Sequence, residues 1–132
     1  MRSQVRVIFF DLGDTLVGAS RSWQPGARGA LATLAEGGSR LGLISNTTGL
    51  TDRAAILALL PADFSLTAFE AGLVIFSSEV VIDKPQTGNF EKALAAAGLP
   101  AAECLYCSEN PVETLAAQAA GMRVAADCHR VR

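Results

Sequence analysis

The sequence predicts an α/β domain built on a parallel sheet with helices covering both faces. Three observations carry that expectation. Strand-like and helix-like patterns alternate five times along 132 residues. The strand segments are nearly unbroken apolar runs, as in strands buried on both faces. The helix segments are punctuated by glycine and proline. Strand followed by helix followed by strand implies right-handed crossovers and parallel pairing.

The first strand is "VRVIFF" at 5–10, short, β-branched and aromatic. "PGARGALATLAEGG" at 25–38 reads as a helix that opens on Pro25-Gly26 and stops on Gly37-Gly38. "RLGLIS" at 40–45 is the second strand, and "TDRAAILALLP" at 51–61 a helix capped by Thr51 and closed by Pro61. "LVIFSS" at 73–78 is the third strand, in a region, 64–76, that keeps neither period cleanly. "QTGNFEKALAAAGLP" at 86–100 is an amphipathic helix ending at Gly98, with Pro100 just beyond. "ECLYCS" is the fourth strand, "PVETLAAQAAG" a helix with Pro111 in its first turn, and "MRVAA" the fifth strand. Repeats, low-complexity tracts and linkers are missing, so residues 1–132 read as one domain.

Composition narrows the function classes. Half the residues are apolar and 18% are charged, which excludes disorder as the main state. A formal net charge of -2 gives no electrostatic case for nucleic acid or an anionic membrane. No apolar run approaches the roughly 20 residues of a membrane helix, and the first residues enter a strand pattern without a leader, so a cytoplasmic protein is expected. Cys104, Cys107, Cys128 and His129 raise the question of zinc. On a strand, residues three apart point to opposite faces, so Cys104 and Cys107 are expected to be buried free thiols rather than a shared metal grip.

In open α/β sheets ligands bind outside the carboxyl ends of the strands. Here the first strand ends on Asp11 and the second on Ser45-Asn46-Thr47-Thr48. The third is followed by Asp83-Lys84-Pro85, and the fourth by Ser108-Glu109-Asn110-Pro111 with Glu113 close behind. Singly, each could be a turn or cap residue or a solvated charge. Together they bring carboxylates, a hydroxyl and an ammonium to one rim, a set suited to phosphoryl transfer. A carboxylate attacks phosphorus once a cation offsets the charge, further carboxylates hold Mg²⁺, and hydroxyl, N–H and Lys groups surround the equatorial oxygens.

The segments "VIFFDLGDTLV", "LGLISNTT", "SSEVVIDKPQTGNFEKAL" and "ECLYCSENPVETLAAQAAGMRV" occur in this order over about residues 5–126. Together they resemble the haloacid dehalogenase (HAD)-like hydrolase superfamily. The resemblance implies a three-layer Rossmann-like fold with a five-stranded parallel sheet of order 5-4-1-2-3. It also implies an Mg²⁺-dependent phosphatase working through an aspartyl-phosphate. By the same resemblance Asp11 is the nucleophile and a metal ligand, and Gly13 the position whose backbone carbonyl binds the metal. Thr15 supports that loop, Ser45 and Asn46 bind phosphate, and Lys84 stabilises nucleophile and phosphoryl group. Ser108-Glu109 and Glu113 fall on the acidic fourth motif, with Glu109 and Glu113 as metal ligands.

The pattern departs from the family in two places. Gly13 stands where the phosphatases usually carry an Asp that protonates the leaving group, and neighbouring Asp14 leaves the backbone in another direction. General acid–base help is worth about 10²–10⁴-fold, so slow turnover or good leaving groups are implied. Glu109 and Glu113 replace aspartates, which lengthens the reach to Mg²⁺. The segments after Thr15 and after Ser45 are too short for a cap domain, which argues against a dehalogenase and leaves a capless site. Such a site needs a second copy, or a bulky phosphorylated small molecule or protein, to close it. The competing expectation is a degenerate member that binds Mg²⁺ or a phosphorylated partner without turnover. Trp23, in the short flap after the first motif, is expected to pack rather than to select substrate.

Overall fold

Successive residues of a strand face opposite sides, and the first strand, β1 (Val7–Phe10), is apolar at every position. Val7 and Phe9 therefore enter one core layer and Ile8 and Phe10 the other. The structure is a computed structural model that describes residues 4–13, 15–18, 20–45, 53–77 and 87–126. β1 lies at the centre of a five-stranded parallel sheet, paired with β4 (Arg40–Ser45) on one side and β6 (Cys104–Cys107) on the other. β5 (Val74–Phe76) and β7 (Arg123–Ala125) form the edges, giving the order β5-β4-β1-β6-β7. Counting only the five strands read from the sequence, this is 3-2-1-4-5, the expected order seen from the other edge.

One face is covered by α1 (Ala27–Glu36) and α2 (Arg53–Leu57), with Leu31, Ile56 and Leu60 packing on Ile8, Leu43 and Phe76. The other is covered by α3 (Thr87–Ala97) and α4 (Pro111–Ala119), with Phe90, Ala93 and Ala117 against Val7, Phe9 and Ile44. Each fully buried Phe or Leu side chain contributes roughly 1.5–3 kcal/mol relative to exposure. Gly42 in β4 has a packing reason: a Cβ there would lie 2.6 Å from Phe9 Cδ1 and 2.7 Å from the Leu73 carbonyl oxygen. Cys104 and Cys107 are buried in opposite layers, as the strand period requires. Cys128 and His129 lie outside the described residues.

Two features differ from the sequence reading. The flap is a hairpin of β2 (Val17–Gly18) and β3 (Ser22–Trp23), strands too short to show a period. Its turn places Ser20 and Arg21 at φ 59° and 56°, a left-handed conformation that costs a non-glycine residue about 1–2 kcal/mol. Arg21 Nε donates to the Leu60 carbonyl at 2.8 Å, which ties the hairpin to the segment after α2 and offsets part of that cost. Secondly, the stretch before β5 is two short 3-10 turns, Leu66–Ala68 and Ala71–Leu73, which explains the lack of a clean period. α2 begins at Arg53, and the expected cap at Thr51 lies outside the described residues. Among the described residues, no helix is long and apolar enough to cross a membrane.

Candidate active site

The carboxyl ends of β1 and β6 meet because the two strands run side by side in register, with Phe10 opposite Cys107. Asp11 extends that ladder by one bond, its N–H donating to the Cys107 carbonyl at 3.0 Å. Its side chain is almost fully buried at 9% exposure. The Leu12 N–H donates to Asp11 Oδ1 at 2.9 Å, and the Ser108 hydroxyl donates to Oδ2 over a longer 3.4 Å. These two bonds hold the carboxylate in one orientation.

The loop after Asp11 winds around one acceptor. The Leu12 carbonyl receives N–H bonds from Thr15, Leu16 and Val17 at 3.2, 3.0 and 3.0 Å. Gly13 bridges to Val17 and is exposed, with none of the described residues within 4 Å of where a Cβ would stand. Thr15 is buried, and its Oγ1 accepts from the Glu109 N–H at 3.3 Å. That bond ties the first loop to the β6–α4 joint.

That joint is itself closely bonded. Ser108 is 1% exposed, and its Oγ accepts from the Asn110 N–H at 3.1 Å. Asn110 caps α4, its Oδ1 accepting from the Val112 N–H at 2.9 Å, with Pro111 in the first turn where a missing N–H costs nothing. Glu113, one turn in, accepts at both oxygens: from the Tyr106 hydroxyl at 2.7 Å on Oε1 and from Asn110 Nδ2 at 3.3 Å on Oε2. Burial pushes the Tyr106 phenol far above its ordinary pKa, and the charges of Asp11 and Glu113 add to the rise. The neighbouring Ser108 hydroxyl pulls the other way.

On the far side of β1, Ser45 ends β4 as a buried residue paired in register with Phe76 of β5. The Arg53 guanidinium lies over the Phe76 ring of β5, 5.3 Å from its centroid. Asp14, Asn46 and Lys84 lie outside the described residues. The structure therefore joins Asp11, Thr15, Ser108 and Glu109 by direct bonds, and places Glu113 behind them on Tyr106 and Asn110. Tyr106 is the participant that the sequence reading passed over. Tyr106 had only its spacing to reveal it, two residues before Ser108 on a strand otherwise read as core.

Among the described residues, no three His, Cys, Asp or Glu side chains gather as a metal cage. Mg²⁺ does not demand one, since it is commonly bound by one or two carboxylates, with waters and substrate phosphate completing its shell. The hard oxygen donors available, the Asp11 carboxylate, the Gly13 carbonyl and the Glu109 carboxylate, fit that chemistry.

No protein-family model matches the sequence, and comparison with curated proteins finds no match. Solved structures do match. A protein described as a haloacid dehalogenase-like hydrolase from Bacteroides fragilis superposes with a TM-score of 0.77 at 18% identity, over 92% of this chain and 86% of its own. A 2-haloacid dehalogenase from Pseudomonas syringae pv. tomato gives 0.72 at 15% identity, over 92% and 85%. The core domain of a protein assigned as a phosphoglycolate phosphatase, from Streptococcus pneumoniae, gives 0.66 at 21% identity, over 94% and 80%. A dehalogenase and a phosphatase share this likeness, so it speaks to architecture and leaves the chemistry to the residues. By its strand order and its structural relatives, the chain has the haloacid dehalogenase-like fold.

Proposed function

We propose that the chain is a Mg²⁺-dependent phosphate monoester hydrolase acting through Asp11. The observation that carries the reading is the Asp11 carboxylate, buried at the end of the central strand and oriented by the Leu12 N–H and the Ser108 hydroxyl. With Oδ1 held by the backbone, Oδ2 is the oxygen that attacks phosphorus. The P–O bond to the leaving group breaks as the aspartyl-phosphate forms. Water then attacks that phosphorus, releasing inorganic phosphate and restoring Asp11. Ser45, with Asn46 and Lys84, serves the equatorial oxygens. Asp11, the Gly13 carbonyl and Glu109 would hold Mg²⁺, which when bound offsets the repulsion between carboxylate and phosphate.

Phosphorus rather than a carbon–halogen centre is favoured by the buried Ser45 and Ser108 hydroxyls at the strand ends, with Lys84 expected as the cation beside a dianionic group. Among the described residues, what lies between the Asp11 loop and α1 is the small β2–β3 hairpin, which is no cap. The substrate class is therefore a phosphorylated small molecule or protein that reaches an open site. Gly13 favours a second reading, a domain that binds Mg²⁺ and phosphate with little turnover, because the leaving group has no acid beside it.

The test is hydrolysis of p-nitrophenyl phosphate with and without Mg²⁺. Wild type should show Mg²⁺-dependent activity that Asp11→Asn abolishes. Gly13→Asp, whose Cβ would meet none of the described residues within 4 Å, should raise turnover of poorer leaving groups toward the roughly 10²–10⁴-fold range of acid–base help. Wild-type activity no higher than an unrelated control would refute the enzyme. A beryllium fluoride adduct on Asp11 in that inactive protein would then favour the binding domain.

A further inference from the structure

Glu113 is one of two acids on the fourth-motif side of the rim, and its surroundings differ from those of Glu109. Glu109 is exposed, and its backbone N–H carries the bond to Thr15. Glu113 turns back toward β6, where the Tyr106 hydroxyl donates to it at 2.7 Å, the short distance of an O–H bonded to a charged oxygen. The second oxygen receives the Asn110 amide.

The phenol cannot readily swing away. Tyr106 is fully buried, and its ring meets Phe90 of α3 edge to face, with centroids 5.0 Å apart and planes at 73°. Aromatic pairs prefer that geometry, so the ring direction is set by core packing and the hydroxyl is aimed at the start of α4. Ser108 Oγ donates to Asp11 and accepts from the Asn110 N–H, and the Asn110 amide in turn donates to Glu113. A chain of contacts thus runs from the nucleophile through Ser108 and Asn110 to Glu113, which Tyr106 holds from the strand side.

We propose that Tyr106 is a positioning residue that holds Glu113 as a brace of the β6–α4 joint, outside the inner shell of the metal, and leaves Glu109 as the acid ligand on this side. The part concerning metal rests on the phosphohydrolase reading; the Tyr106–Glu113 pairing does not. The brace fixes Ser108 and, through it, the Oδ2 side of Asp11. Drawing Glu113 onto a metal ion would take the charged acceptor from a phenol with no water around it, which a buried donor resists.

The protein has one tyrosine, so a chain labelled with carbon-13 at the tyrosine ζ position gives a single NMR resonance that reports the phenol's hydrogen bond. Glu113→Gln and Glu113→Ala should each shift it, Ala further, while Glu109→Gln leaves it in place. Calorimetry of Mg²⁺ binding on the same samples should show heat for wild type that Glu109→Gln loses. Saturating Mg²⁺ should leave the wild-type tyrosine resonance unmoved. A Mg²⁺-induced shift toward the Glu113→Gln position would overturn the proposal, as would a resonance indifferent to both Glu113 variants. If wild type binds no Mg²⁺, the metal reading fails instead, and the Glu113 variants alone decide whether Tyr106 holds the carboxylate.

Discussion

Asp63 and Glu113 each accept a hydrogen bond from an aromatic donor, in opposite surroundings. At the flap, Trp23 Nε1 donates to Asp63 at 2.8 Å, and Arg28 pairs with the same carboxylate, whose side chain is half exposed. At the β6–α4 joint, a wholly buried Tyr106 donates to Glu113. Water can replace a lost partner more readily at the flap than at the joint, where the Tyr106 hydroxyl is buried and Glu113 half-buried. The flap therefore has to be held by something else, and the rings supply it. Trp23 stacks on Phe64 at 5.2 Å and Phe64 on Phe69 at 5.8 Å, over a small apolar pocket of about 210 Å³ walled by α1. The packing role expected of Trp23 is what the structure shows. The comparison teaches that a polar contact matters in proportion to what it would lose, not to its length.

The largest effect should come from breaking the stack. Phe64 is 8% exposed and sits between the other two rings, so Phe64→Ala should cost about 3–5 kcal/mol in urea denaturation, the usual range for a buried Phe. Tyr106→Phe should come next. It keeps the ring and its contact with Phe90 and removes only the hydroxyl, leaving the Glu113 carboxylate short of a donor. The expected loss is about 1–3 kcal/mol. Trp23→Phe is the matched control at the flap, since it keeps a ring on Phe64 and deletes the donor to Asp63. Its effect should be well under half that of Tyr106→Phe; equal losses would mean that exposure does not distinguish the two corners.

The same contrast separates what could be read in the sequence from what could not. The five strands were readable because β1, β4, β5 and β6 are apolar on both faces, and Gly37-Gly38, Gly98 and Pro111 mark helix ends. Asp11 and Ser108 were readable as polar residues at the ends of such strands. The hairpin was not, because two-residue strands carry no period and its turn uses Ser20 and Arg21 rather than the glycine or asparagine that announces such turns. Nor was the destination of Glu113. Its position in the motif suggests a metal, while its partner is a tyrosine seven residues earlier, across a strand-to-helix joint whose geometry no spacing rule encodes. Asn110 shows the intermediate case: an Asn before Pro is a cap by type, but its second bond to Glu113 depends on where the helix starts.

The smallest predicted effect is at Asp63, and it is a matter of pH. The Trp23 hydrogen bond, ahead of the Arg28 charge, holds the Asp63 carboxyl below its ordinary pKa against the opposing push of desolvation. A folded-state pKa below the unfolded one means that the unfolded chain binds the proton first. The contribution to stability is then present above the ordinary Asp value near 3.9 and lost as pH falls through the lower folded value. Glu70, held down by its two-pronged bond with Arg40 at the amino end of β4, follows the same sign, so Asp63 has to be isolated by substitution. Asp63→Asn should be slightly less stable than wild type at pH 7, with the difference closing as pH drops below about 4. Because both partners are largely exposed, the difference at pH 7 should also shrink in 1 M salt, where screening acts over about 3 Å. A gap that persists in acid and in salt would show that the carboxylate contributes through packing of the Trp23 ring rather than through its charge.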